Sequence, residues 1–354
     1  MKLRFERGSR DDLKTLHPAY FAMVMATGIV AIATHIHGVP VVPIALFWLN
    51  ALFLAGLAVA TGTRALRYPR EFAADVQSHS RGIGFFTTSA AAAVFGAQLV
   101  LQMGNGRAAA VFWVAAAILW ALITYGVLAV LMVKADKPNL ADGLNGGWLV
   151  SIVAPQSVAI LTVLVLANGV FQEFEQPLMF FALVLWLGGS ALYLFIMTLI
   201  FFRYTFMHMS PEDLTPPYWI NMGAVAISAL AGATLMEHAA LSAVVTEIAP
   251  VVKGFTLFFW AIASWWIPIL VILGIWRYLI CGVPFAYDPL YWGGVFPLGM
   301  YSVSTYHLTK VLQTPFLALP SKAFMFIALA AWLTTFLGLV DSRLRPRRHA
   351  QSLR

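Results

Sequence analysis

Residues Ile83–Leu101 read IGFFTTSAAAAVFGAQLVL, nineteen residues without a charge, ten of them Gly, Ala, Ser or Thr. An apolar run of about 20 residues is what a helix needs to cross a hydrocarbon core. The small side chains say more, because Ser89, Ala93 and Ala97 recur four apart and let helix backbones approach closely. Phe180–Thr198 is the opposite kind of span, with six small residues in nineteen and Phe, Leu, Trp, Val, Ile, Tyr and Met for the rest. Bulky apolar residues all round are what a lipid-facing helix presents. One chain thus holds two kinds of span, and their order decides the fold.

Working outward from Ile83–Leu101, ten apolar segments are read at 18–36, 41–61, 83–103, 108–133, 149–168, 178–202, 219–238, 252–275, 292–312 and 322–340. The two kinds alternate; the seventh span repeats the small-residue stripe at Ala224, Ser228 and Gly232. Odd-numbered helices are therefore expected inside and even-numbered ones outside. Short gaps near His37–Pro40, Gly104–Arg107 and Ala167–Gln176 tie each odd helix to the next even one. The expected fold is an all-α membrane protein of ten transmembrane helices, arranged as five helical hairpins around a central pore. The inner helices all run the same way, and their starts resemble one another. His17-Pro18-Ala19-Tyr20-Phe21, Gly82-Ile83-Gly84-Phe85-Phe86, Gly146-Gly147-Trp148, Pro216-Pro217-Tyr218-Trp219 and Tyr291-Trp292-Gly293-Gly294 each set aromatics beside Gly or Pro.

Charge orients this arrangement. Of 22 Lys and Arg residues, eighteen fall in the N-terminal segment, in every second gap and in the tail. Only Arg107, Lys253, Lys310 and Lys322 fall on the other side. Basic residues collect on the cytoplasmic face of a membrane protein, so both termini are expected in the cytoplasm, which requires an even number of spans. The expected organisation is a cytoplasmic segment 1–17, a transport domain 18–340 and a basic tail 341–354. Arg343, Arg345, Arg347 and Arg348 in the tail read as a topology anchor against anionic lipid.

The net charge of +7 is spread along cytoplasmic gaps, which argues against nucleic-acid binding. Cys281 is the single cysteine, so neither an internal disulfide nor a thiolate metal site is expected. The charged start and long first apolar run do not fit a cleaved signal peptide, and no gap has room for a soluble domain.

Carboxylates are informative by their placement. Of 15 Asp and Glu, only Glu237 and Glu247 lie near a span, both at its extracellular end. Cation carriers and proton pumps usually keep a carboxylate at mid-membrane. The inner helices offer neutral polar groups instead, and Thr27, Thr88, Ser151, Asn221 and Ser302 are candidate pore-lining residues. Phe21 and Phe85 at the helix starts, and Pro155 within the fifth span, join them. Helical hydroxyls also bond back to their own helix, which is the competing structural role. His17 and Arg81 at one mouth, with His307 and Lys310 at the other, would draw anions inward.

Pro155 and Pro297 each remove a helix hydrogen bond. In Gly293-Gly294-Val295-Phe296-Pro297-Leu298-Gly299 a bulky ring directly precedes the proline. If Phe296 points to the axis, it would close a pore built from small residues.

The ten-span pattern, His17-Pro18-Ala19-Tyr20-Phe21 with Thr27-Gly28, and Phe296-Pro297-Leu298-Gly299 together resemble the tellurite-resistance/dicarboxylate transporter (TDT) family. Its fold is shared with the plant guard-cell slow anion channels and tellurite-resistance protein A. The resemblance spans about residues 17–340. It implies five hairpins around a pore, a homotrimer with one pore per subunit, and a mid-pore phenylalanine gate at Phe296, with Pro297 beside it. By the same resemblance, the substrate is a C4-dicarboxylate such as malate, or an inorganic anion such as tellurite, sulfite or chloride. The expected location is the inner (plasma) membrane, with lipid and a small anion as partners.

A proton-coupled dicarboxylate carrier is the alternative, with His17, His35 or His307 as the titrating group. An enzyme is not expected, since His-Glu-x-x-His, Gly-x-Ser-x-Gly and Asp-rich motifs are lacking. A haem protein would need histidines facing each other across helices, but His35 and His37 share a helix end and His208 sits in a gap. No cofactor or metal is expected.

Overall fold

The computed structural model describes residues 13–284 and 287–344. The first twelve residues, and Arg345, Arg347 and Arg348 of the expected anchor, lie outside the described residues. Among the described residues the chain is helical throughout, without strands. Ten long helices follow one another: α1 (Pro18–Ile36), α2 (Val42–Arg67), α3 (Gly82–Leu101), α4 (Gly106–Val133), α5 (Gly146–Ala167), α6 (Gln172–Phe206), α7 (Pro216–Glu237), α8 (Ala249–Ile280), α9 (Trp292–Leu312) and α10 (Pro315–Ser342).

Nine of the described helices are long and apolar enough to cross a membrane by length and composition, and α9 is not among them. It has the length, at 21 residues, but Gly293, Gly294, Pro297, Ser302, Ser304 and His307 dilute its hydropathy. Such a helix is tolerated where protein rather than lipid surrounds it. α9 meets that condition, because it packs against α1, α7 and α10.

The two compositions sort into two layers. Over their membrane-length windows α1, α3, α5 and α7 are 72–100% buried, whereas α2, α4, α6, α8 and α10 are 22–50% buried. The odd helices close a ring: α1 packs on α3, α3 on α5, α5 on α7, α7 on α9, and α9 back on α1. Each odd helix also packs on the even helix that follows it. Exposed Leu, Phe, Trp and Val side chains, such as Trp48, Leu122, Phe195 and Trp265, cover the even helices.

Glycine makes the close approaches possible. A Cβ at Gly223 on α7 would lie 2.6 Å from Pro297 Cγ on α9, and one at Gly299 would lie 2.8 Å from Ile29 Cγ2 on α1. The two inner prolines thus sit in notches, since Pro155 likewise rests against Gly189 of α6.

The similar helix starts have a common geometry. Pro18–Phe21, Gly82–Phe85, Gly146–Leu149, Pro216–Trp219 and Pro289–Tyr291 are each a 3-10 turn leading into an inner helix. The five turns also touch in sequence and close a second ring at this end of the bundle. Proline at the first position presets the turn, and Gly146, whose Cβ would meet Pro217 O at 2.5 Å, admits the neighbouring turn.

Candidate functional site: an axial cavity

All five inner helices contribute to one cavity of about 460 Å³. Ile29 and Ile32 of α1, Ala93 and Ala97 of α3, Ile160 and Leu164 of α5, Ile227 and Leu230 of α7, and Met300 and Val303 of α9 form its wall. Apart from Met300, which lies just before the middle of α9, these positions are in the C-terminal halves of five parallel helices, so the cavity runs toward that end of the bundle. Its polar residues gather at the rim, as Asn168, Glu237, His238, His307 and Lys310. Ser157 and Thr234 also reach the wall, but their hydroxyls donate to the Val153 and Leu230 carbonyls of their own helices.

At the rim, Glu237 Oε2 lies 2.8 Å from His307 Nδ1, joining the last turn of α7 to α9. Lys310 Nζ sits 4.5 Å from the centre of the Tyr306 ring, a cation–π contact that holds the ammonium near the opening. The mouth is therefore a mixed-charge site, not a purely cationic one.

Phe296 lies on the stripe of α9 that faces this cavity. Met300, Val303, His307 and Lys310 line it, and the spacing 296, 300, 303, 307, 310 keeps to one helix face. Phe296 is one turn, about 6 Å, beyond Met300, and only 2% of it is exposed. By the same helical repeat, Met25, Ala90, Val153 and Gly223 continue the other four stripes inward, each buried. Pro297 points away, into the Gly223 notch on α7.

The eight residues expected along the pore are placed differently, and none of them lines this cavity. Thr27 Oγ1 accepts the Trp332 indole N–H of α10 at 3.0 Å. Ser302 donates to Ser321 O of α10 at 2.7 Å, and Ser321 donates back to Ser302 O. Asn221 donates to the Tyr204 hydroxyl of α6 at 2.7 Å. Thr88 and Ser151 bond back to the Phe85 and Trp148 carbonyls. Phe85 meets Phe72 of the short helix Pro69–Val76 in a tilted contact with ring centres 5.0 Å apart, and Phe21 is buried in the first turn of α1. Pro155 faces α6.

The hydroxyl placements share one cause. A hydroxyl in an apolar interior must find a partner, and the outer helices supply indole donors for it. Trp113 bonds Thr162 at 2.7 Å, Trp186 bonds Ser228 O at 2.9 Å and Trp260 bonds Thr305 at 2.9 Å. With Trp332 on Thr27 and Ser89 on Ala116 O at 2.8 Å, every inner helix is tied to an outer one. The polar groups of the inner helices fasten the two layers, and the axis is left apolar.

Of the expected mouth residues, His307 and Lys310 border the cavity. His17 and Arg81 lie at the opposite end of the inner helices. Arg81 binds Asp75 at 2.6 and 3.1 Å and donates to the Thr15 and Leu16 carbonyls. Buried Arg64 reaches the same carboxylate at 2.7 Å and holds Lys14 O at 3.0 Å. Two guanidiniums on one carboxylate leave net positive charge there and clamp segment 14–16. His17 Nδ1 accepts the Ala19 N–H as the cap of the first turn. Burial, then the Arg81 charge, lowers the His17 pKa to about 4, so the ring is neutral at pH 7 and suited to accept.

Sequence reading passed over Glu237 as a site residue, and with it the Glu237–His307 pair. The α9 stripe was available as a signal, since the spacing from Phe296 to Lys310 is regular, but the partner lies 70 residues away. Among the described residues no group of three or more His, Cys, Asp or Glu is arranged to hold a metal ion.

Five parallel small-residue helices enclosing an axial cavity, within a shell of lipid-facing helices, define a multi-pass membrane protein. Residues 15–340 match the profile of the SLAC1 voltage-dependent anion channel family, and the chain belongs to that family. It is similar to an uncharacterized membrane protein of Mycobacterium tuberculosis, 40% identical over 150 residues that cover 42% of this chain and 75% of that protein. An uncharacterized transporter of Methanocaldococcus jannaschii is 24% identical over 93% of this chain and 95% of its own length. A sulfite efflux pump of Trichophyton rubrum is 24% identical over 92% and 91%. The family is the one expected from the helix-start and Phe296 motifs, whose members include sulfite efflux pumps.

Proposed function

We propose that this protein conducts small anions along the axis of its inner ring, driven by their electrochemical gradient, with Phe296 as the gate. The observation that carries this reading is the α9 stripe: Lys310 and His307 at the rim, Val303 and Met300 on the wall, and a buried Phe296 one turn beneath. A pore built this way offers the Lys310 ammonium to an entering anion and sets a bulky ring one turn further in. The wall carries no fixed charge until the rim, so cations gain nothing along it.

In this reading the ten helices form five inner–outer hairpins, α9 being a tenth span shielded from lipid by its neighbours. Basic residues place both termini in the cytoplasm and open the cavity to the opposite side, in the inner (plasma) membrane. The unit is a homotrimer with one pore per subunit. The substrates are inorganic anions such as sulfite, tellurite or chloride, or C4-dicarboxylates such as malate; the fungal sulfite pump favours the inorganic class. A proton-coupled carrier is the second reading, and the Glu237–His307 pair favours it by setting a titratable group at the cavity mouth.

Uptake of labelled sulfite and malate into proteoliposomes, with and without a pH gradient, tests both readings beside chloride conductance in the same vesicles. Channel-type conduction predicts chloride current and uptake that follows membrane potential. Uptake that stops without a pH gradient, with no chloride current, would replace the channel by the carrier.

A further inference from the structure

Resting on that axial-anion reading, we infer that Glu237 sets the valence of the permeating ion, making the cavity a path for monovalent anions in preference to dianions. The inference starts from the charges that face the mouth. α1 and α3 present Ile29, Ile32, Ala93, Ala97 and Val100, all apolar, and α5 presents Asn168, which is neutral. α7 presents Glu237 and His238, and α9 presents His307 and Lys310. The permanent cation is Lys310, and the carboxylate that answers it is Glu237, bonded to His307 at 2.8 Å. Glu237 is not neutralised in private: its side chain keeps 20% exposure at the rim, against 15% for His307.

Two energies then compete for any entering anion. Attraction to a positive mouth grows in proportion to the ion's charge. The cost of stripping water from the ion, which an apolar wall imposes, grows with the square of the charge. A strongly cationic mouth would offset that cost for a dianion. Glu237 lies within the field of the Lys310 charge, and by opposing it weakens that offset and leaves dehydration to decide. The favoured substrates are singly charged: a halide, nitrate, bisulfite, or a dicarboxylate carrying one proton. Divalent sulfate, sulfite or malate meets a mouth where Glu237 opposes the Lys310 charge, and a wall of Ile, Leu, Val and Ala.

The test compares nitrate with sulfate as single-salt probes, using reversal potentials of the full-length protein in planar bilayers. Each variant is read in the wild-type and Phe296→Ala backgrounds. Wild type should prefer nitrate. Glu237→Gln keeps a hydrogen-bonding group beside His307 while removing the charge, and should raise the sulfate-to-nitrate permeability ratio about tenfold, as expected for one partly screened unit charge near the ion. Lys310→Gln changes a more exposed rim residue and leaves the carboxylate unanswered, so the ratio should fall by a similar factor. If Glu237→Gln fails to assemble, Glu237→Ala read beside the charge-keeping Glu237→Asp decides, because only loss of the charge should raise the ratio, and equal ratios in the two mean the carboxylate does not act on the ion. Anion current with ratios unmoved by either substitution overturns the valence role and leaves the conduction reading standing. Absence of anion current in both backgrounds overturns the conduction reading, and the valence role with it.

Discussion

Replacing Phe296 by alanine is expected to raise anion flux at least about tenfold while the protein stays assembled, equivalent to lowering the barrier by about 1.4 kcal/mol. The ring is 2% exposed and follows the cavity-lining stripe one turn beyond Met300. Its level in the ring is held otherwise by Met25 and Val153, since Gly223 offers no side chain and Ala90 only a methyl. With the ring gone, Met25 and Val153 alone narrow that level, and water can enter from the cavity above. A side chain that merely packed would behave differently. Its truncation would leave a dry void at a cost of about 3–5 kcal/mol, with no route for ions. Flux in proteoliposomes at matched protein density, paired with thermal unfolding of the same preparations, separates the two. Unchanged flux in a well-folded, cooperatively melting variant refutes the assignment of Phe296 as the gate. A rise in flux with selectivity between nitrate and chloride nearly intact supports it, since no charge has been added or removed.

Three further substitutions probe the scaffold around that ring. Gly223→Val would drive a branched side chain into Pro297, whose Cγ lies 2.6 Å from the Cβ position; thermal unfolding should register about 1–3 kcal/mol of destabilisation, and wild-type stability would remove the notch. Asp75→Asn strands Arg64, 3% exposed, without its carboxylate, which should cost about 3–5 kcal/mol and make segment 14–16 more sensitive to limited proteolysis; an unchanged digestion pattern contradicts the clamp. His17 has its pKa lowered to about 4 in the folded protein, against about 6.5 unfolded, so the unfolded state takes the proton first. The stability it contributes is therefore full above about pH 6.5 and is lost as pH falls toward 4, by about 1–3 kcal/mol. His17→Asn keeps a capping side chain but should abolish that part of the acid sensitivity in melting curves.

Much of this architecture is written in composition. The contrast between the small residues of Ile83–Leu101 and the bulk of Phe180–Thr198 carried over into which helices are buried and which are exposed. The recurring aromatic and Gly or Pro starts correspond to five 3-10 turns that pack on one another. What composition could not convey was direction around each helix. Thr27, Asn221 and Ser302 belong to inner helices, as read, but face outward to Trp332, Tyr204 and Ser321. The partners that turn them lie 305, 17 and 19 residues away, and no local pattern announces such pairs. α9 shows the opposite limit, since its Gly, Ser and His content sets it apart from the nine apolar helices. Only its position between α1, α7 and α10 explains how such a helix is accommodated. Glu237 stood out only as a carboxylate at a span end, which looks like ordinary interfacial charge until His307 is found beside it.

The central claim, that anions travel through the inner ring, is tested most directly by the reversal potential of the purified protein in a planar bilayer under a potassium chloride gradient. Conduction through this ring predicts a reversal potential near the chloride equilibrium potential, shifting when chloride is exchanged for nitrate and not when potassium is exchanged for a large organic cation. A potential that tracks potassium, or a bilayer that carries no protein-dependent current even with Phe296→Ala, would contradict it.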